Sequence, residues 1–143
     1  MTLKFKYKKI PLTEKIPLFG FSILRPIIPV QIQGKEEKIN YEVLIDSGAD
    51  TCVFDGALGQ ELGLDVASGT PVQFTGVQNA NKANAYLHSV DLSLGGHKFS
   101  IPAIFSFELS NRGYGILGQK GFFDLFEIKF NYQKEEIELR GGK

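Results

Sequence analysis

The chain has 143 residues, 43% of them hydrophobic and twelve of them Phe, which is material for one core and one globular unit. Its 16 basic and 16 acidic side chains cancel, so no overall field gathers nucleic acid or an anionic membrane, and a lone cysteine rules out an intrachain disulfide and fits a reducing, cytoplasmic setting. Pro11, Glu14, Lys15 and Pro17 interrupt any signal-peptide core, and Arg25, Pro26 and Pro29 interrupt the apolar run from Ile23 to Val30, which is too short for a membrane span.

In chain order, KFKYKK alternates Lys with Phe5 and Tyr7 and reads as an exposed edge strand rather than a nucleic-acid patch. Phe21 to Gln33 and Lys38 to Ile45 read as strands separated by the polar turn GKEE. The second runs straight into Asp46-Ser47-Gly48-Ala49-Asp50. A short helix is expected from Asp55, which caps it; Leu58 and Leu62 share one face and Gly63 stops it. Val72 to Val77 starts a strand that ends in the polar tip QNANKAN. Tyr86, His88, Val90, Leu92 and Leu94 alternate with Ser89, Asp91 and Ser93, Gly95-Gly96 makes a two-residue hairpin loop, and Phe99, Ile101, Ala103 and Phe105 share a face on the return strand. Gln119 to Leu125 has room for one or two helical turns. Phe126, Ile128, Phe130 and Tyr132 then alternate, and Ile137 with Leu139 closes the chain in a last strand beyond a turn at Gln133-Lys134. The architecture expected is mainly β with two short helices.

Two stretches carry chemistry. In VLIDSGADTCVF an Asp follows a buried strand directly, beside a hydroxyl residue and a glycine. That arrangement holds a carboxylate rigidly and keeps it ionisable: Gly48 gives access to backbone conformations closed to other residues and brings its N–H to the carboxylate, and the Ser47 hydroxyl can hold a neighbouring element. Alone, Asp-Ser-Gly is an ordinary polar turn. An apolar strand on either side makes it unusual, because a solvent-exposed hairpin turn is not normally sunk between buried segments. The second stretch, GYGILG followed by QKGFF, spells G-x-G-x-x-G. A dinucleotide site is nevertheless rejected, because strands do not alternate with long helices along the chain and the helix after Gly118 is too short for a βαβ unit.

The combination of LIDSGADTCVF, PVQFTGV with AYLHSVDLSLGG, IPAIFSF and GILGQKGFFDLFEIKFNY resembles the retropepsin-like aspartic proteases, especially small single-domain prokaryotic members, over roughly Pro26 to Leu139. The resemblance implies an all-β acid-protease barrel with one or two short helices, working as a two-fold symmetric homodimer. It makes Asp46 the catalytic carboxylate, with Ser47, Gly48 and Ala49 as its supporting turn. Phe74, Thr75, Gly76, Val77 and Gln78 become the flap, and Ile116, Leu117 and Gly118 pack behind the site. Residues 21–143 would form the protease domain, and residues 1–20 a separate segment serving as an edge strand, a dimer interface or a cover for the site. Ser47 stands where Thr is commoner, and the flap tip Gly76-Val77-Gln78-Asn79 is stiffer and more polar than the Gly-rich tip frequent in relatives.

Peptide hydrolysis of this kind needs two facing carboxylates that share a proton. The chain has one such turn; Phe54-Asp55-Gly56-Ala57 lacks the hydroxyl residue and suits a helix cap. The second carboxylate is therefore expected from another copy of Asp46, across a two-fold axis. Expected partners are a second copy and a peptide or protein substrate, with no nucleic acid, membrane, cofactor or metal. The competing reading is a catalytically silent dimer that binds a peptide or protein in the same groove. Asp50 reads as a turn carboxylate or a contact for substrate termini, and Asp124 and Arg112 as halves of ion pairs. Cys52 reads as a small buried residue. A Cys-His hydrolase built from Cys52 with His88 or His97 has no motif to support it, and these three residues lack metal-ligand spacing.

Overall fold

The computed structural model describes residues 1–73, 84–109 and 113–142. Within them the chain forms β1 (Thr2–Lys6), β2 (Lys8–Ile16), β3 (Gly20–Arg25), β4 (Ile27–Gln33), β5 (Lys38–Ile45), β6 (Val53–Asp55), α1 (Gly56–Glu61), β7 (Thr70–Val72), β8 (Ala85–Leu94), β9 (His97–Ser106), β10 (Gly115–Leu117), β11 (Phe126–Asn131) and β12 (Glu136–Gly141). Single 3-10 turns occupy Val66–Ser68 and Phe107–Leu109.

Strands β4, β5, β10, β6, β9 and β8 pair in that order, and β8 pairs back on β4 at Gln31↔Ser93, Ile32↔Leu92 and Gln33↔Asp91. The result is a closed six-stranded barrel with β7 added outside β8. Closure leaves these six strands no edge to pair with a stranger. Alternation along the strands sends Ile28, Val30, Ile32, Val43, Ile45, Val90, Leu92, Ile101, Ala103 and Phe105 inward. Phe54 centres this core, edge-on to Phe105 at 5.7 Å and to Tyr41 at 6.0 Å. Gly95 and Gly96 both have positive φ (55° and 81°), as a two-residue hairpin loop that follows the strand twist requires.

The expected capped helix is present. The Asp55 side chain accepts from Ala57 N at 2.9 Å, Leu58 and Leu62 are buried, and Gly63 leaves the helix at φ 81°. Two other expectations are corrected. Phe21 to Gln33 is not one strand: β3 pairs with β2 and β4 with β5, with the change of partner at Pro26, which has no N–H for a ladder. Gln119 to Leu125 forms consecutive turns and no helix. Gly121 sits at φ 106°, its N–H is taken by the Asp124 carboxylate at 3.0 Å, and Phe123 N and Asp124 N reach back five residues, to Gly118 O and Gln119 O.

KFKYKK is divided between two strands: Lys4 to Lys6 end β1, at the edge of a three-stranded sheet, β1-β12-β11, that covers one side of the barrel, and Lys8 and Lys9 begin β2, so the single edge strand expected there is corrected at Tyr7. Ile137, Leu139 and Phe126 bury themselves there with Phe99 and Phe122. Among the described residues, no helix is long and apolar enough to cross a membrane.

Burial has a consequence at high pH. Loss of solvent pushes the Cys52 thiol from 9.0 to about 11, helped by the nearby negative charge of Asp124 and opposed by a backbone hydrogen bond from Gly118. Burial likewise pushes the Tyr41 phenol from 10.0 to about 12. Both groups keep their protons to higher pH folded than unfolded, so the stability they contribute is complete below about pH 9 and is lost as pH rises toward 11 and 12. Thermal melts should show the Tm falling through that window, and Cys52→Ala should shrink the part of the fall that begins near pH 9. A Tm with the same alkaline dependence in both proteins would contradict this origin.

Candidate active site

Strands β5 and β6 are consecutive in sequence but not neighbours in the sheet, because β10 lies between them. It runs parallel to β5, with Gly115↔Val43, Ile116↔Leu44 and Leu117↔Ile45, and meets β6 at Ile116↔Val53. The chain leaving β5 must therefore arch over the end of β10 to reach β6. That arch is Asp46 to Cys52, which explains a polar turn placed between two buried strands.

The residues after β10 satisfy the arch. Asp46 N donates to Leu117 O at 3.0 Å, Gln119 N to Ala49 O at 2.8 Å, and Lys120 N to Asp50 O at 2.9 Å, with Thr51 bridged to Lys120. The Gln119 side chain donates to Ser47 O at 2.8 Å. A buried turn whose backbone groups went unpaired would be costly, and here 117–120 supplies the partners. Gly118 is required for this approach, since a Cβ there would overlap the Thr51 carbonyl and stand 2.7 Å from Ala49 O. Leu117 is fully buried, and Ile116 packs with Val53, Ala85 and Ile104.

Within the turn, Asp46 is half-buried, Ala49 N closes onto Asp46 O at 3.2 Å, and Gly48 N donates to Asp46 Oδ1 at 2.9 Å. Oδ2 of Asp46 has no hydrogen-bond partner among the described residues. Gly48 is not in the left-handed region. The expectation of a special backbone conformation is thus corrected: its hydrogen atom lets the N–H close on the carboxylate, a Cβ there standing 3.2 Å from Oδ1. Ser47 is exposed and engages Gln119 through its carbonyl, while its hydroxyl makes no hydrogen bond among the described residues.

The side chain of Gln119 was not singled out in the sequence; its place directly after Ile-Leu-Gly is the signal that points to it. Asp124 pairs with Lys120 at 3.4 Å, and the exposed Asp50 carboxylate makes no ion pair among the described residues. Arg112 and the flap residues Phe74, Thr75, Gly76, Val77 and Gln78 lie outside the described residues. A Cys-His pair is excluded by position. Cys52 is fully buried with Sγ 3.6 Å from Lys120 O, whereas His88 Nε2 lies 2.8 Å from Val66 O and His97 is exposed at the start of β9. Among the described residues, no group of three His, Cys, Asp or Glu side chains is placed to hold a metal ion.

A closed barrel in which β10 separates the two strands around an Asp-Ser-Gly turn defines the retropepsin-like acid-protease fold. The pattern of the aspartyl protease family matches residues 28–120, and the chain belongs to that family. Among solved structures, a retropepsin-like aspartic protease from Rickettsia conorii matches with a TM-score of 0.58 at 18% identity, over 97% of this chain and 92% of that one, which establishes a common fold. The EIAV protease, solved with the inhibitor HBY-793, is similar at 25% identity and a TM-score of 0.43, over 66% of this chain and 82% of its own. No curated protein matches the chain.

The close approach at Gly118 makes a specific prediction. Gly118→Ala should destabilise the protein by about 1–3 kcal/mol, because the arch must move for a methyl group to fit. Denaturant unfolding measures this directly, and a loss below about 0.5 kcal/mol would mean that the arch yields freely.

Proposed function

We propose that the chain is an aspartic endopeptidase that acts as a homodimer, with Asp46 of each copy facing the other across a two-fold axis. The observation that carries this reading is the state of the Asp46 carboxylate. Its Oδ1 is anchored by Gly48 N, and Oδ2 has no hydrogen-bond partner among the described residues, in the one Asp-Ser-Gly triplet of the sequence. A second identical carboxylate brought to Oδ2 would complete a pair that shares one proton, because two like charges so close do not both ionise.

In such a pair the ionised carboxylate takes a proton from water as its oxygen bonds to the scissile carbonyl carbon. The protonated carboxyl polarises the carbonyl oxygen and gives it that proton. Collapse of the tetrahedral species breaks the C–N bond: the carboxyl that took the proton from water delivers it to the amide nitrogen, and the other carboxylate takes a proton back from a hydroxyl of the diol, which restores the shared-proton pair. Ser47, Gly48 and Ala49 hold the acid in place, and Ile116 to Gly118 brace the turn from behind. The substrate is a peptide or a protein segment in extended form.

The test is cleavage of an unbiased peptide library, read by mass spectrometry from acid to neutral pH. Asp46→Asn should lower the rate by about 10²–10⁴-fold or more while the protein stays folded. Mixing wild type with an excess of Asp46→Asn should poison activity through mixed dimers, and the rate should fall once both carboxylates of the pair ionise. Full activity in a species that sediments as a monomer would overturn the reading. Cleavage by neither protein, with both folded and dimeric, would favour the silent peptide-binding dimer.

A further inference from the structure

Strands β2 and β3 form a two-stranded ribbon that belongs to neither the barrel nor the terminal sheet. A ribbon of two strands is marginal in water unless something covers it. Here not one residue from 8 to 25 is buried. Its base is tied down by the Lys8–Glu42 ion pair and by Arg25 Nη1 donating to Tyr114 Oη at 2.9 Å. Its tip is apolar: Ile16, Leu18, Phe19 and Phe21 are four of the eight exposed large hydrophobic side chains among the described residues, and Leu18 is 82% and Phe21 67% exposed. Four such side chains gathered within six positions form a patch, which a soluble surface seldom carries without a use.

The position of the ribbon identifies its occupant. It joins the barrel at Pro26, whose carbonyl accepts from Ile45 N at 2.9 Å, so its root lies one residue from Asp46 along β5. Strand β3 spans roughly 20 Å from there to the tip at about 3.3 Å per residue. A second copy whose Asp46 meets this one comes within that reach. The β2 edge of the ribbon carries Lys9, Pro11 and Lys15, with Pro17 in the turn, residues that discourage strand addition along that edge. The exposed apolar side chains are concentrated at the tip, which is where a contact would hide them. We propose that the β2–β3 ribbon is a dimerisation arm whose apolar tip, Ile16, Leu18, Phe19 and Phe21, packs on a second copy of this chain and holds the two Asp46 turns together. This rests on the dimeric reading above, and binding is measured separately from catalysis so that the two can fail independently.

The experiment uses the full chain in the Asp46→Asn background, where association is read without chemistry, and the wild type for cleavage. The triple variant Leu18→Ser, Phe19→Ser, Phe21→Ser should raise the dimer dissociation constant in sedimentation at least about a hundredfold, since each large apolar side chain withdrawn from an interface is worth on the order of tenfold. Its circular dichroism should be unchanged because nothing in the ribbon is buried. In the wild-type background, cleavage by the triple variant should vanish on dilution and return at high protein concentration. As a check free of substitutions, amides of residues 16–21 should exchange more slowly in the dimer than in dilute monomer. An unchanged dissociation constant, equal exchange in the two states, or a chain that is monomeric at every concentration would each overturn the arm. So would a dimer that persists while the variant loses only its binding to anionic lipid vesicles, an outcome that would assign the tip to a membrane surface. A dimer that depends on the tip but cleaves nothing would keep the arm and overturn the protease.

Discussion

The site depends on the pairing of β10 with β5, extended past the strand ends by the hydrogen bond from Asp46 N to Leu117 O. That one parallel ladder decides where the chain leaving β5 can go. With β10 between β5 and β6, the connection cannot be a tight hairpin and must climb over the Leu-Gly step. Gly118 sets how low the arch lies, and the arch sets the height of Asp46 above the barrel. The Asp-Ser-Gly turn is thus a by-product of strand order, and the backbone of residues 117–120 is its floor.

Such a floor leaves the acid only partly specified. Gly48 fixes one carboxylate oxygen and nothing among the described residues fixes the other. In a single copy the carboxylate is half-buried and held through one oxygen only. Under the proposed dimer, chemistry would be coupled to assembly, because the free energy that seats two copies would also confine two carboxylates to one proton.

The features legible in the sequence were those set by local rules. The Asp55 cap and the Gly95-Gly96 hairpin loop each need particular residues at particular positions and are found as expected, and the DSGAD turn is found between its two buried strands without the special backbone conformation expected of Gly48. Partner choice was harder, because it is tertiary. Residues 21–33 are mostly apolar with no polar turn between them, and Pro26 marks the point where the partner changes from β2 to β5. The supposed helix at 119–125 failed for a reason visible afterwards in single residues, a glycine with positive φ and an Asp that caps it locally. The hold of Gln119 on Ser47 O was invisible because it joins residues 72 apart through one side chain.

The first 25 residues illustrate a division of labour. Strand β1 is consumed within the copy, paired along its length with β12 and covering the barrel beside Phe99 and Phe126. The ribbon that follows is spared from that task and contributes nothing buried to its own fold. A chain under no other demand would gain stability by folding such a ribbon onto its barrel or by making its tip polar. Under the proposed dimer, the exposed Leu and Phe at the end of this tethered ribbon, rooted one residue from Asp46, would be hidden by the same contact that brings the two Asp46 turns together.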